Sequence, residues 1–211
     1  MDILAELSSN QGRRDQDPNQ ALAKKIAVED DRAACAALID IVQNGKRAAR
    51  HDAIVVAYEV ATAKPELMRD HAETFFALLS DSDNRMCWGA MDAILHLADL
   101  MPARVMADLD ALCTAADTSS VIAKDRLMAL LAKLNGYPEF APTVTPVILN
   151  RLRHAAVNQF PMYAELAAET QPANEMNSLV SIIETRRDTI SYPAKKKRLD
   201  KLLRKIATGS R

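Results

Sequence analysis

PELMRDHAETFFALLSDSDNRMCWGAMDAILHLADLMPARVMADLDALCTAADTSSVIAKDRLMALLAKLN, residues 65–135, is written in helical period. Leu67, His71, Phe75 and Leu78 recur every three or four positions through residues 65–79, and the polar turn Ser80-Asp81-Ser82-Asp83-Asn84 then breaks the run. A second helix follows with Cys87, Met91, Ile94, Leu95 and Ala98 as its stripe and stops at Leu100-Met101-Pro102. Val105, Leu109, Leu112 and Cys113 mark a third, and after Asp117-Thr118-Ser119-Ser120 a fourth covers residues 121–135. Met91, Ile94 and Leu97 reappear as Met128, Leu131 and Leu134, about 37 residues later. The same shift lays Ile54 on Met91, Ala57 on Ile94, Val60 on Leu97, Ala61 on Ala98 and Pro65 on Pro102. A helix pair is thus repeated three times, the smallest stack that buries a continuous core.

Toward the N-terminus, residues 46–63 form a helix that ends before Lys64-Pro65, because proline disfavours helical backbone in the residue before it. Residues 31–43 form another, closed by Asn44-Gly45, and one more runs from Pro18 or Asn19 to Asp30. Residues 1–19 read as a mobile lead-in whose Ile3-Leu4-Ala5-Glu6-Leu7 patch docks loosely. Toward the C-terminus, Pro142 and Pro146 place a proline-bent helix, or one starting near Pro146, within residues 140–156. Helices over residues 159–170, 174–189 and 194–206 complete the chain, the last with Leu199, Leu202, Leu203 and Ile206 under a basic face. The expectation is an all-α chain of about ten helices, one domain over residues 20–206 closed by the 194–206 helix.

Composition agrees with helices packed through small side chains: 49% of residues are hydrophobic, only 4% are aromatic, and there are five glycines. Net charge is −1 but uneven, since residues 186–211 hold about +8 and the remainder about −9. An acidic body disfavours wrapping nucleic acid along its length. No run suits a membrane span, and acidic residues stand where a secretory leader has basic ones, so a cytoplasmic protein is expected. Cys35, Cys87 and Cys113 lie apart in helical runs and read as buried thiols. His51, His71, His96 and His154 form no ligand spacing, and Asp81, Asp83 and Asp117 read as helix caps rather than a calcium loop. No phosphate-loop, nucleotide-binding or nucleophile-elbow motif is present, so neither a metal nor a cofactor is expected and an enzyme is disfavoured.

The alternation of helix and turn over residues 66–135 resembles the HEAT-repeat family, whose units carry an aspartate between two helices and a cation about six positions on. Asn44 with Arg50 fits in spirit, with asparagine in the aspartate's place, Asp117 with Lys124 is one position late, and Asp81 followed by Cys87 departs from the pattern. The resemblance implies a right-handed α-α superhelix of the HEAT/armadillo kind and a non-enzymatic scaffold that binds other proteins along a concave face. Some DNA glycosylases also have HEAT-like folds, which makes a repair enzyme an alternative.

Two surfaces are candidates. On the helix over 85–100, Arg85, Trp88, Asp92, His96 and Asp99 lie opposite the apolar stripe, flanked by His51, Val55 and Glu59 from one unit and by Asp125, Ala129 and Lys133 from the next. A tryptophan amid mixed charge suits a protein interface; the competing reading packs Trp88 under a neighbouring helix end. The second surface is Lys195, Lys196, Lys197, Arg198, Lys201, Arg204 and Lys205. That helix reads first as the cap of the stack, and alternatively as a contact for nucleic acid, for anionic lipid or for a second copy in a homodimer.

Overall fold

The structure is a computed structural model and describes residues 1–209; Ser210 and Arg211 lie outside the described residues. Every regular element among them is helical. Within the span read as one domain the chain groups into two compact units, Met1–Leu127 and a second from Met128 onward.

The first unit contains α1 (Ile3–Glu6), α2 (Asp17–Glu29), α3 (Arg32–Asn44), α4 (Arg47–Ala63), α5 (Ala72–Ala77), α6 (Asn84–Leu97), α7 (Pro102–Ala107), α8 (Leu109–Thr118) and the start of α9 (Val121–Asn135). Its centre is α4, packed against α2, α3 and α6. Ala49, Ala53, Ala57 and Ala61 fall at every fourth residue and are buried, while Ile54, Val55, Val56 and Val60 bury the other sides. Small side chains along one row let a neighbouring helix approach, and branched ones fill the remaining space. Gly89 of α6 makes that approach possible: a Cβ there would meet Ile54 Cγ1 at 2.7 Å.

The turns are stitched across helices. Arg50 Nη2 donates to Asp81 Oδ2 at 2.6 Å, and its Nε donates to the Val42 carbonyl at 2.9 Å. The cation that Asp81 lacks six positions on therefore comes from the preceding helix pair. Asp83 caps α6 by accepting from the Arg85 amide, and it also meets His51 at 2.7 Å and Arg47 at 3.0 Å. The bond from His51 and those from the Arg85 amide and Arg47 together hold the Asp83 carboxyl down at about 2 against the opposing effect of burial.

Three expectations are corrected. The described residues hold thirteen α-helices rather than about ten, the helix expected over 102–117 being two and the N-terminal patch forming one. Residues 65–79 do not form one helix: 3₁₀ turns at Pro65–Leu67, Arg69–His71 and Leu78–Ser80 flank the short α5. The apolar residues here come in neighbouring pairs, Phe75-Phe76 and Leu78-Leu79, all buried. Winding at three residues per turn aligns the first pair with the second. The predicted helix over 102–117 breaks at Asp108, whose carboxylate turns back to Arg104. Arg104 also grips Glu73 at 2.9 Å and covers the Phe76 ring at 4.0 Å.

Residues 1–19 differ most from their reading as a mobile lead-in. Ile3 and Leu7 are buried, and the Ser8 and Ser9 amides donate to Asn19 Oδ1 at 3.0 Å and Asp52 Oδ2 at 2.8 Å. Asn19 Nδ2 completes the group by donating to Asp52 Oδ1 at 2.9 Å. A buried carboxylate on α4 needs donors, and the N-terminal segment supplies them.

The second unit continues α9 and adds α10 (Ala141–His154), α11 (Phe160–Thr170), α12 (Met176–Thr189) and α13 (Pro193–Ala207). Pro146 lies inside α10, as the proline-bent reading expected. Arg186 of α12 closes the end of α10 by donating to the carbonyls of Leu152 at 2.9 Å, Arg153 at 2.5 Å and Ala155 at 2.6 Å.

Gly89→Ala tests the α4–α6 approach. Alanine gains about 1 kcal/mol of helix propensity over glycine, but the Cβ has to displace Ile54, and overpacking costs about 1–3 kcal/mol. A net loss of stability is expected in urea unfolding, and Ile54→Ala, which removes the γ carbons the new Cβ would meet, should cost less in the Gly89→Ala background than in the wild type.

Candidate functional site

The face predicted around Trp88 is built on α4 and α6, but the structure sorts its residues by depth. Trp88 is half-buried and lies against Tyr58 of α4, ring centroids 5.8 Å apart and planes inclined at 47°. The indole is neither a free knob nor sealed under a helix end. Arg85 is half-buried, and its Nε is buried without a hydrogen-bond partner. Glu59 and His96 are half-buried and Asp99 is exposed. Lys133, also half-buried, belongs to the second unit. Val55, one of the expected flanking residues, is core.

Asp92 is the main correction. Placed on the outer face by its spacing, it is only 5% exposed. Arg126 of α9 brings Nε to 2.9 Å from Asp92 Oδ1, a charge pair without the alignment of a good hydrogen bond, and His96 Nε2 stands 3.7 Å from the same oxygen. Burial pushes the Asp92 carboxyl above the usual range even though Arg126 and His96 pull it down. Burial likewise raises the Tyr58 phenol. The helix is covered on almost every side, since Met86, Cys87, Gly89, Ala90, Met91, Ala93 and Ile94 are also buried.

Sequence reasoning missed Tyr58 and Arg126. An aspartate at a register flanked by Met91 and Ala93 was the available signal, because a carboxylate in such a place calls for a cation. An aromatic pair above a buried acid offers a stacking surface and a group of altered acidity. In this arrangement the acid is engaged by two basic side chains.

The C-terminal cations divide into two sets. Arg198 Nε donates to Glu165 Oε1 at 2.6 Å, Lys195 bonds Asn158 and covers the Tyr192 ring at 4.3 Å, and Arg204 Nε donates to the Asp200 carbonyl at 3.2 Å. Lys196 is half-buried, and its charge acts on Asp200, which Arg187 holds at 2.5 Å. Lys197, Lys201 and Lys205 are exposed at every fourth residue and form no ion pair among the described residues. The other side of α13 buries Leu199 and Leu202 against the second unit.

Among the described residues no three His, Cys, Asp or Glu side chains gather as metal ligands, and no helix is long and apolar enough to cross a membrane. Cys35 and Cys87 are buried, Cys113 is partly exposed, and burial lifts the Cys35 thiol to about 11. No family model, curated protein or solved structure matches the chain.

The raised pKa of Asp92 fixes a sign. The folded state binds the proton more tightly than the unfolded chain, so native stability falls as pH rises from the ordinary carboxylate range through the folded value. Asp92→Asn does not titrate and lacks that slope. Urea unfolding at pH 4 and pH 7 is expected to show the variant gaining stability relative to the wild type at the higher pH.

Proposed function

We propose that the chain is a non-enzymatic binding scaffold of HEAT-like helix pairs, a right-handed α-α superhelix in type, that engages a protein partner through the face of α4 and α6. The observation that carries this reading is the half-buried Trp88–Tyr58 pair beside Arg85. Tryptophan, tyrosine and arginine supply the large, stiff contacts on which interfaces concentrate their binding energy. The architecture is supported by the repeat of about 37 residues and by the Arg50–Asp81 bridge between successive pairs. A repair glycosylase on a similar frame receives less support, because Asp92 is occupied by Arg126 and His96.

The test begins with a partner isolated by crosslinking from the native cell and then purified. Trp88→Ala is expected to weaken its binding by about tenfold or more, the effect of losing an aromatic anchor, with circular dichroism unchanged. Equal affinity would remove the face from consideration.

A second reading, nucleic-acid association through α13, is favoured by the exposed stripe Lys197, Lys201 and Lys205, which forms no ion pair among the described residues. Three phosphate contacts would give a slope of about −2.7 in log K against log salt on duplex DNA. Replacing the three lysines by glutamine should abolish that slope, whereas salt-independent binding rejects the reading.

A further inference from the structure

A cleft of about 960 Å³ in the second unit lies between α10 and the segment that follows α11. Three buried polar side chains line it, Asn135 at 3% exposure, Thr145 at 3% and Gln171 at 2%. Thr145 Oγ1 donates to Asn135 Oδ1 at 2.7 Å, and Asn135 Nδ2 donates to the Thr170 carbonyl at 3.0 Å. These two bonds fix both groups in place.

Gln171 is left incomplete. Its Nε2 donates to the Glu175 carbonyl at 3.3 Å, and because a carbonyl only accepts, this bond sets which way the amide faces. Oε1 is then a buried acceptor with no donor, and the neighbouring Thr170 Oγ1 is also without a partner. Across the cleft, Pro146 has no N–H to give the carbonyl of Pro142 one turn earlier, and both prolines line the wall. Gln171 Oε1 and Thr170 Oγ1 are thus two polar atoms without partners in the wall of one open cleft.

The charge at the rim has the matching sign. Glu169 and Glu175 line the cleft against the single cation Arg153. The wall beside them is apolar, formed by Pro138, Pro142, Pro146 and Leu149. Since no three ligating side chains gather among the described residues, a bare metal ion is poorly served.

We propose that this cleft binds an organic cation carrying N–H donors on an apolar stem, a primary ammonium or a guanidinium. The N–H groups complete the orphan acceptor of Gln171, the rim carboxylates balance the charge, and the stem lies along the proline wall. Such a group is offered by a free alkylamine or by the lysine or arginine side chain of another protein.

The full chain, labelled with ¹⁵N, is titrated with butylammonium and butylguanidinium and, for contrast, with tetramethylammonium, which has the charge but no N–H. Saturable shifts of the Gln171 side-chain amide and the adjacent backbone are expected with at least one of the first two. Binding of tetramethylammonium should be at least tenfold weaker. Gln171→Leu should lose at least tenfold in affinity, and Glu169→Gln, an exposed change that leaves folding intact, should lose severalfold. A capped Gly-Arg-Gly peptide that binds more tightly than butylguanidinium assigns the site to a protein side chain; weaker binding assigns it to a free amine. The proposal is overturned if neither N–H cation binds, if tetramethylammonium binds equally, or if Glu169→Gln leaves affinity unchanged.

Discussion

The distance between α4 and α6 is set by one missing side chain. Gly89 lets Ile54 come where a Cβ would stand, and the alanine row of α4 accommodates its neighbours in the same manner. Everything on the adjacent face follows from that closeness. Arg50 can reach Asp81, His51 can reach Asp83, and Tyr58 can lie against Trp88 only because the two helices run so near one another. The core relies on backbone proximity and on leucine, alanine and isoleucine, in keeping with a chain that has few aromatic residues.

Buried carboxylates in the first unit tie separate parts of the chain together. Asp52 joins α4 to the N-terminal segment, and Asp92 joins α6 to Arg126 of α9. Each carboxylate costs free energy to desolvate, and each is partly compensated by donors from a different part of the chain. Such groups penalise misaligned packing more than they add to stability, because a slipped helix would leave the charge alone.

The sequence was most legible where one physical rule dominates. Helical period with proline or asparagine-glycine stops located α2, α3, α4, α6 and α9 to within a few residues of their observed ends. It was least legible over residues 65–80, where paired apolar residues favour tight turns over a regular helix, and at Asp108, whose backbone at φ −102° and ψ 18° leaves the helix without a proline or glycine to announce it. The site divides in the same way. Period placed Trp88, Arg85 and His96 on a common side, but depth depends on what packs against that side, and α4 and Arg126 cover Asp92 from elsewhere in the chain. The lysine-rich helix showed its charge at once; which cations are already neutralised depended on Glu165 and Asn158, more than thirty residues away.

The bond from the Ser9 amide to Asp52 spans 43 residues. During synthesis residues 8 and 9 leave the ribosome long before their acceptor exists, so this part of the molecule cannot finish folding until most of α4 has emerged. Until then the Ser9 amide and the Asp52 carboxylate lack each other as partners, although α2 and α3, on which α1 also packs, precede α4 in the chain.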